Sequence, residues 1–111
     1  MSLKSDKRKT RRIECDIPVE VETVTGKLQD NVVIKNCSVN GLCFRGPATE
    51  LSMKGQEIFL TFVVPGSEQV VKVLGWVVHQ TQCDDTVDTG VTFMFLSQEY
   101  EMLLEQFAEF A

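Results

Sequence analysis

Two clusters of side chains have the types and spacing to grip a polar ligand. The first is Arg8-Lys9-Thr10-Arg11-Arg12, which contains R-x-x-x-R. A guanidinium is a planar fork of donors that matches phosphate oxygens and the O6/N7 edge of guanine. Two such forks on one arm can hold an anion from two sides. The second cluster is Asn36-Cys37-Ser38-Val39-Asn40-Gly41, which reads [D/N]-x-S-x-x-G. Its amide and hydroxyl can meet a polar planar ligand, or can satisfy the amides of an ordinary turn. Gly41 would supply a positive φ or a close backbone approach. Alone, each pattern is weak, because basic tails and polar turns contain it by chance.

Other chemistry has little to build on. The sequence has no G-x-G-x-x-G, no G-x-x-x-x-G-K-[ST] and no G-x-S-x-G. Its single histidine, His79, sits at the end of an apolar stretch, Val77-Val78-His79-Gln80. The carboxylates alternate along strands or fall in loops and along the last helix, and no pair is singled out for acid–base work. Cys15, Cys37, Cys43 and Cys83 form no C-x-x-C and have no zinc-type spacing; three of them lie in apolar stretches, where a thiol acts as a small hydrophobe. The expectation is a binding domain and not an enzyme, with no catalytic residue, no metal and no cofactor.

These residues need a scaffold. With 111 residues, 43% of them hydrophobic and 24% charged, the chain suits one globular domain. No apolar run approaches the ~20 residues that cross a bilayer, and no secretory signal is visible, so a cytoplasmic protein without membrane insertion is expected. Charge divides the chain in two. Residues 1–12 hold six cations against Asp6, a net +5, and residues 13–111 carry −10. The sequence therefore reads as a flexible basic arm (1–12) on an acidic body (13–111), and the arm implies an anionic partner.

In the body, Cys15, Ile17, Val19 and Val21 alternate with polar residues, as in a half-buried strand, and Pro18 points to an edge. Short β-branched runs follow around Val32–Ile34 and Leu42–Phe44. Ile58, Leu60, Phe62 and Val64 line a further strand. A longer one, from Val70 to Val78, is interrupted by Gly75, a sign of a bulge or a close approach. Asp84, Asp85 and Asp88 mark a loop before the alternating Val91, Phe93 and Phe95. Six or so strands at this spacing read as a small β-barrel or sandwich. Tyr100, Leu103, Leu104 and Phe107 then recur with helical period, giving a C-terminal helix over about 97–110 with Ser97 as its N-cap.

The order of these features resembles the PilZ domain family. R-x-x-x-R at the start is followed by an alternating strand and then by [D/N]-x-S-x-x-G. Leu51 to Gly55 with the 58–64 strand, Val73 to Val78, Gly90-Val91-Thr92-Phe93 and the closing helix are also similar to the family, so the likeness runs from about Arg8 to Phe110. It implies a mainly all-β fold: a six-stranded Greek-key antiparallel β-barrel with a C-terminal α-helix. It also implies binding of the bacterial second messenger cyclic di-GMP through Arg8, Arg12, Asn36, Ser38 and Gly41, with Lys7 and Arg11 as auxiliary cations. Lys7 and Arg11 have the same spacing as Arg8 and Arg12; the latter register is preferred because both members are arginine. In one departure, His79 stands where the family often has tryptophan, and Trp76 lies earlier on the strand.

The expected function is thus a cyclic di-GMP receptor. Binding would order the arm and signal to a protein partner, in motility, exopolysaccharide or biofilm control by family association. The alternatives are a PilZ-like adaptor that does not bind the nucleotide and, against the −10 of the body, a barrel binding single-stranded nucleic acid.

Overall fold

In the computed structural model, residues 12–26, 28–47 and 54–110 are described. Valine, isoleucine and phenylalanine at every second position build six strands: β1 (Ile13–Thr23), β2 (Leu28–Cys37), β3 (Gly41–Pro47), β4 (Glu57–Val64), β5 (Gln69–Cys83) and β6 (Thr86–Phe95). All six ladders are antiparallel. The sheet closes on itself in the order β1-β2-β3-β6-β5-β4. Sequence neighbours pair as hairpins except β3 and β4, while β3–β6 and β1–β4 join strands distant in the chain. This is the expected Greek-key barrel.

Closure removes the free edges of an open sheet. Pro18 therefore lies within β1, not on an edge strand. It faces Val33 of β2, and the ladder to β4 begins only at Val19–Phe62, which leaves one flank of Pro18 unpaired. The inward residues, among them Ile34, Leu42, Phe44, Ile58, Leu60, Val71 and Val77, fill the barrel and are at most 1% exposed. Gly75 shows both behaviours its sequence position implied. A register shift separates it from Leu74, and a Cβ there would collide with the Val91 side chain.

Two strands run further than the pattern shows. Around Gln80 to Cys83 both faces are polar, yet β5 continues through them and turns at Asp84–Asp85 into β6. Asp88 is consequently a strand residue opposite Arg45 and not part of a loop.

Helix α1 (Gln98–Phe110) follows β6. Ser97 caps it, its Oγ accepting from the Tyr100 N–H at 3.1 Å. Leu104 is buried in the core, with Tyr100, Leu103 and Phe107 packed against it. The apolar stripe covers the protein's own barrel. Among the described residues no helix is long and apolar enough to cross a membrane.

Candidate functional site

The β1–β2 ladder brings the start of β1 beside the end of β2, with Glu14 opposite Asn36 and Ile13 opposite Cys37. Arg12, exposed and one residue before β1, thereby meets Asn36 across a sequence gap of 24 residues. Its Nη1 donates to Asn36 Oδ1 at 2.6 Å. One arginine of the first motif and the amide of the second are in direct contact. Arg8, Lys7 and Arg11 lie outside the described residues.

The second motif is less of a loop than its composition implies. Asn36 and Cys37 end β2 and Gly41 begins β3, so the turn is only Ser38-Val39-Asn40. Ser38 is buried and is occupied by the turn itself. Its N–H donates to the Gly41 carbonyl at 2.8 Å, and its Oγ accepts from the Asn40 N–H at 3.1 Å. The Asn40 carbonyl accepts from the Phe93 N–H at 2.9 Å, which ties the turn to β6. Gly41 does not have a positive φ. It is required for the other reason: a Cβ there would run into the backbone carbonyl of Val91.

The charges near this turn are not equivalent. Lys35 is paired with Asp16. Arg45 forks onto Asp88, its Nε at 2.7 Å from Oδ1 and its Nη2 at 3.1 Å from Oδ2. The donated hydrogen bond from Arg45 holds the Asp88 carboxyl below its usual range and raises the guanidinium in turn. Arg12 donates to a neutral amide instead. Among the described residues it has no carboxylate partner.

Burial makes three of the cysteines poor nucleophiles. Burial, then the neighbouring Cys15, pushes the Cys37 thiol up to about 12. Burial also raises Cys15 and Cys43. Among the described residues no group of three or more His, Cys, Asp or Glu could hold a metal.

Across the outer surface, Asn36, Cys43, Gly90 and His79 follow one another on β2, β3, β6 and β5. The His79 ring leans over Gly90, where a Cβ would strike it. One step along, Gly41, Thr92 and Trp76 form a parallel row. Trp76, Thr92 and the His79–Gly90 contact were not part of the sequence-derived site. Their placement depends on two bulges in the β5–β6 ladder, which spacing alone does not reveal.

The family model of the PilZ domain matches residues 6–110. The chain belongs to the PilZ family. Among curated proteins none matches it. Solved structures share its fold, among them the following three. The inhibitor of motility MotI/DgrA of Bacillus subtilis superposes with a TM-score of 0.76 at 12% identity, over 91% of this chain and 48% of that one. The PilZ domain of YcgR from Escherichia coli, solved with c-di-GMP, gives 0.71 at 11% identity, over 90% and 87%. The PilZ domain of CeSA from a cellulose-synthesising bacterium gives 0.64 at 14% identity, over 87% and 93%. At these identities the likeness is one of fold. This PilZ domain spans about half the length of MotI.

Proposed function

We propose that this PilZ domain is a non-catalytic receptor for cyclic di-GMP, bound at the junction of the β1 start and the β2–β3 turn. The observation that carries the reading is the Arg12–Asn36 contact. It juxtaposes the two motifs and leaves a cation on the surface without a carboxylate among the described residues. Arg12 and Arg8 take phosphate oxygens or guanine edges through charge-assisted bonds, and Asn36 supplies an amide beside them. Ser38 and Gly41 serve by building the turn and seating it on β6. Lys7 and Arg11 add positive charge toward the dianion. Binding draws the basic arm against the barrel and so changes the surface offered to a protein partner in the cytoplasm.

Selectivity tests this reading. Cyclic di-GMP, cyclic di-AMP and a single-stranded oligonucleotide are titrated at two salt concentrations. The receptor reading expects binding of cyclic di-GMP alone, with a shallow salt dependence. A steep fall with salt and no preference for guanine indicates a nucleic-acid binder. No binding of any of the three indicates an adaptor that works through protein contacts.

A further inference from the structure

The closed strand order sets β5 opposite β2, three strands away in either direction. The face built by β4, β5 and β6 therefore looks away from the Arg12–Asn36 contact. Side chains directly opposite each other in an antiparallel ladder stand on the same side of the sheet. Phe59 is opposite Leu74, and Leu74 is opposite Phe95, which makes one outward row across three strands. Val63 and Val70 make a second row nearer the β4–β5 turn. Phe95 is 75% exposed, and Val63 and Val70 are exposed as well. The core does not need these side chains, because Ile58, Leu60, Val71 and Val73 fill it from the alternate positions of the same strands. Single exposed apolar residues are ordinary, whereas rows of them on one face mark an interaction surface.

Charge selects what covers this face. Glu20 and Glu22 of β1 stand opposite Thr61 and Phe59, and Glu57 stands at the start of β4. Among the described residues none of these three carboxylates is in an ion pair. Lys72 is engaged over Phe59, its Nζ 5.4 Å from the ring centre. A second copy of the chain would bring the same carboxylates, and a body of −10, against them. An anionic bilayer would be repelled in the same way. Strand addition has no place here, since β5 is paired along both flanks, with β4 and with β6. A cationic, amphipathic protein segment docking through side chains satisfies both the apolar rows and the carboxylates.

We propose that the β4–β5–β6 face docks an amphipathic helix of a partner protein, one that lays its apolar stripe along Phe95, Leu74 and the Val63–Val70 pair and sets lysine or arginine beside Glu20, Glu22 and Glu57. A helix about 10 Å across spans the two strand spacings, each about 4.8 Å, from β4 to β6. The apolar rows supply the affinity, and the carboxylates supply orientation and the rate of encounter. The face lies apart from the Arg12–Asn36 junction and does not depend on what binds there.

The probe is a synthetic amphipathic helix of leucine and lysine, about five turns long, titrated calorimetrically into the intact chain without any cyclic dinucleotide. The controls are the same helix with glutamate in place of lysine, and vesicles of anionic phospholipid. The proposal expects the lysine helix to bind and the glutamate helix not to. Phe95→Ser, at a position exposed enough to leave the thermal midpoint unmoved, should lose about 10-fold or more in affinity, and Val70→Ser should lose affinity too. Glu20→Gln/Glu22→Gln should lose roughly 2- to 10-fold at low salt. No binding of the lysine helix overturns the proposal. Undiminished binding by both serine variants overturns it as well, because the helix is then held by the net charge of the body alone. Vesicle binding that Phe95→Ser abolishes assigns the face to a membrane, and a dimer that Phe95→Ser dissociates in sedimentation assigns it to a second copy. With no cyclic dinucleotide present, each of these results leaves the receptor reading untouched.

Discussion

A guanidinium that donates to a carboxylate has its charge cancelled; one that donates to an amide keeps it available. That difference separates Arg45 from Arg12, and it orders the expected mutant effects. A hydrogen bond to a charged group contributes about 1.5–3 kcal/mol. Arg12→Ala should therefore weaken cyclic di-GMP binding by roughly 10- to 150-fold. Arg45→Ala should leave the affinity nearly unchanged, since its fork is already taken by Asp88. Calorimetric dissociation constants of the two variants check this, and equal losses would undo the site assignment. Cys37 makes a second residue-scale prediction. Its thiol is held neutral up to about 12 in the fold, whereas a free thiol ionises near 9. A raised folded value means the associated stability is complete below about pH 9 and drains away as pH climbs toward 12. Urea midpoints measured from pH 8 to 11 should fall more steeply for the wild type than for Cys37→Ala. Under mild alkylation the exposed Cys83 should react well before the buried Cys37.

At the level of elements, Gly41 of β3 and Gly90 of β6 differ in what they permit. Gly41 abuts a backbone carbonyl of Val91, which can move only with its strand, whereas Gly90 abuts the exposed ring of His79, which can rotate away. Gly41→Ala should cost on the order of 1–3 kcal/mol or more, and Gly90→Ala distinctly less. Chemical denaturation of the two variants measures the difference. Leu104, buried where α1 covers the barrel, should cost about 2–5 kcal/mol when cut to alanine. The alternation in β1 and β4 and the helical period of Tyr100, Leu103, Leu104 and Phe107 were legible because one face of each element is buried. The Gln80–Cys83 stretch was not. It is a strand only because β6 pairs with it, and that pairing is invisible in a run polar on both faces. Closure through β1–β4 and β3–β6 was equally hidden, since it joins residues far apart in the chain. At the site, the two motifs were legible as separate clusters, and it is the β1–β2 ladder that brings Arg12 to Asn36. Motif spacing could not show that Ser38 faces into its own turn, because a hydroxyl's direction is set by the Gly41 and Asn40 backbone it meets.

Taken whole, the molecule is an acidic barrel, −10 over residues 13–111, preceded by a basic stretch of +5 over residues 1–12. The design suits a small dianion better than a long polyanion. A cyclic dinucleotide needs two or three cations at one spot, while a nucleic acid would run onto the acidic body and be repelled. Ligand binding should raise the thermal midpoint, since anything that binds only the folded state stabilises it. The most direct test of the receptor reading is isothermal titration of the intact chain with cyclic di-GMP, alongside an Arg8→Ala/Arg12→Ala double variant. Micromolar or tighter binding that disappears in the double variant is the predicted result. Absence of heat in the wild type, or binding undiminished in the double variant, would contradict it.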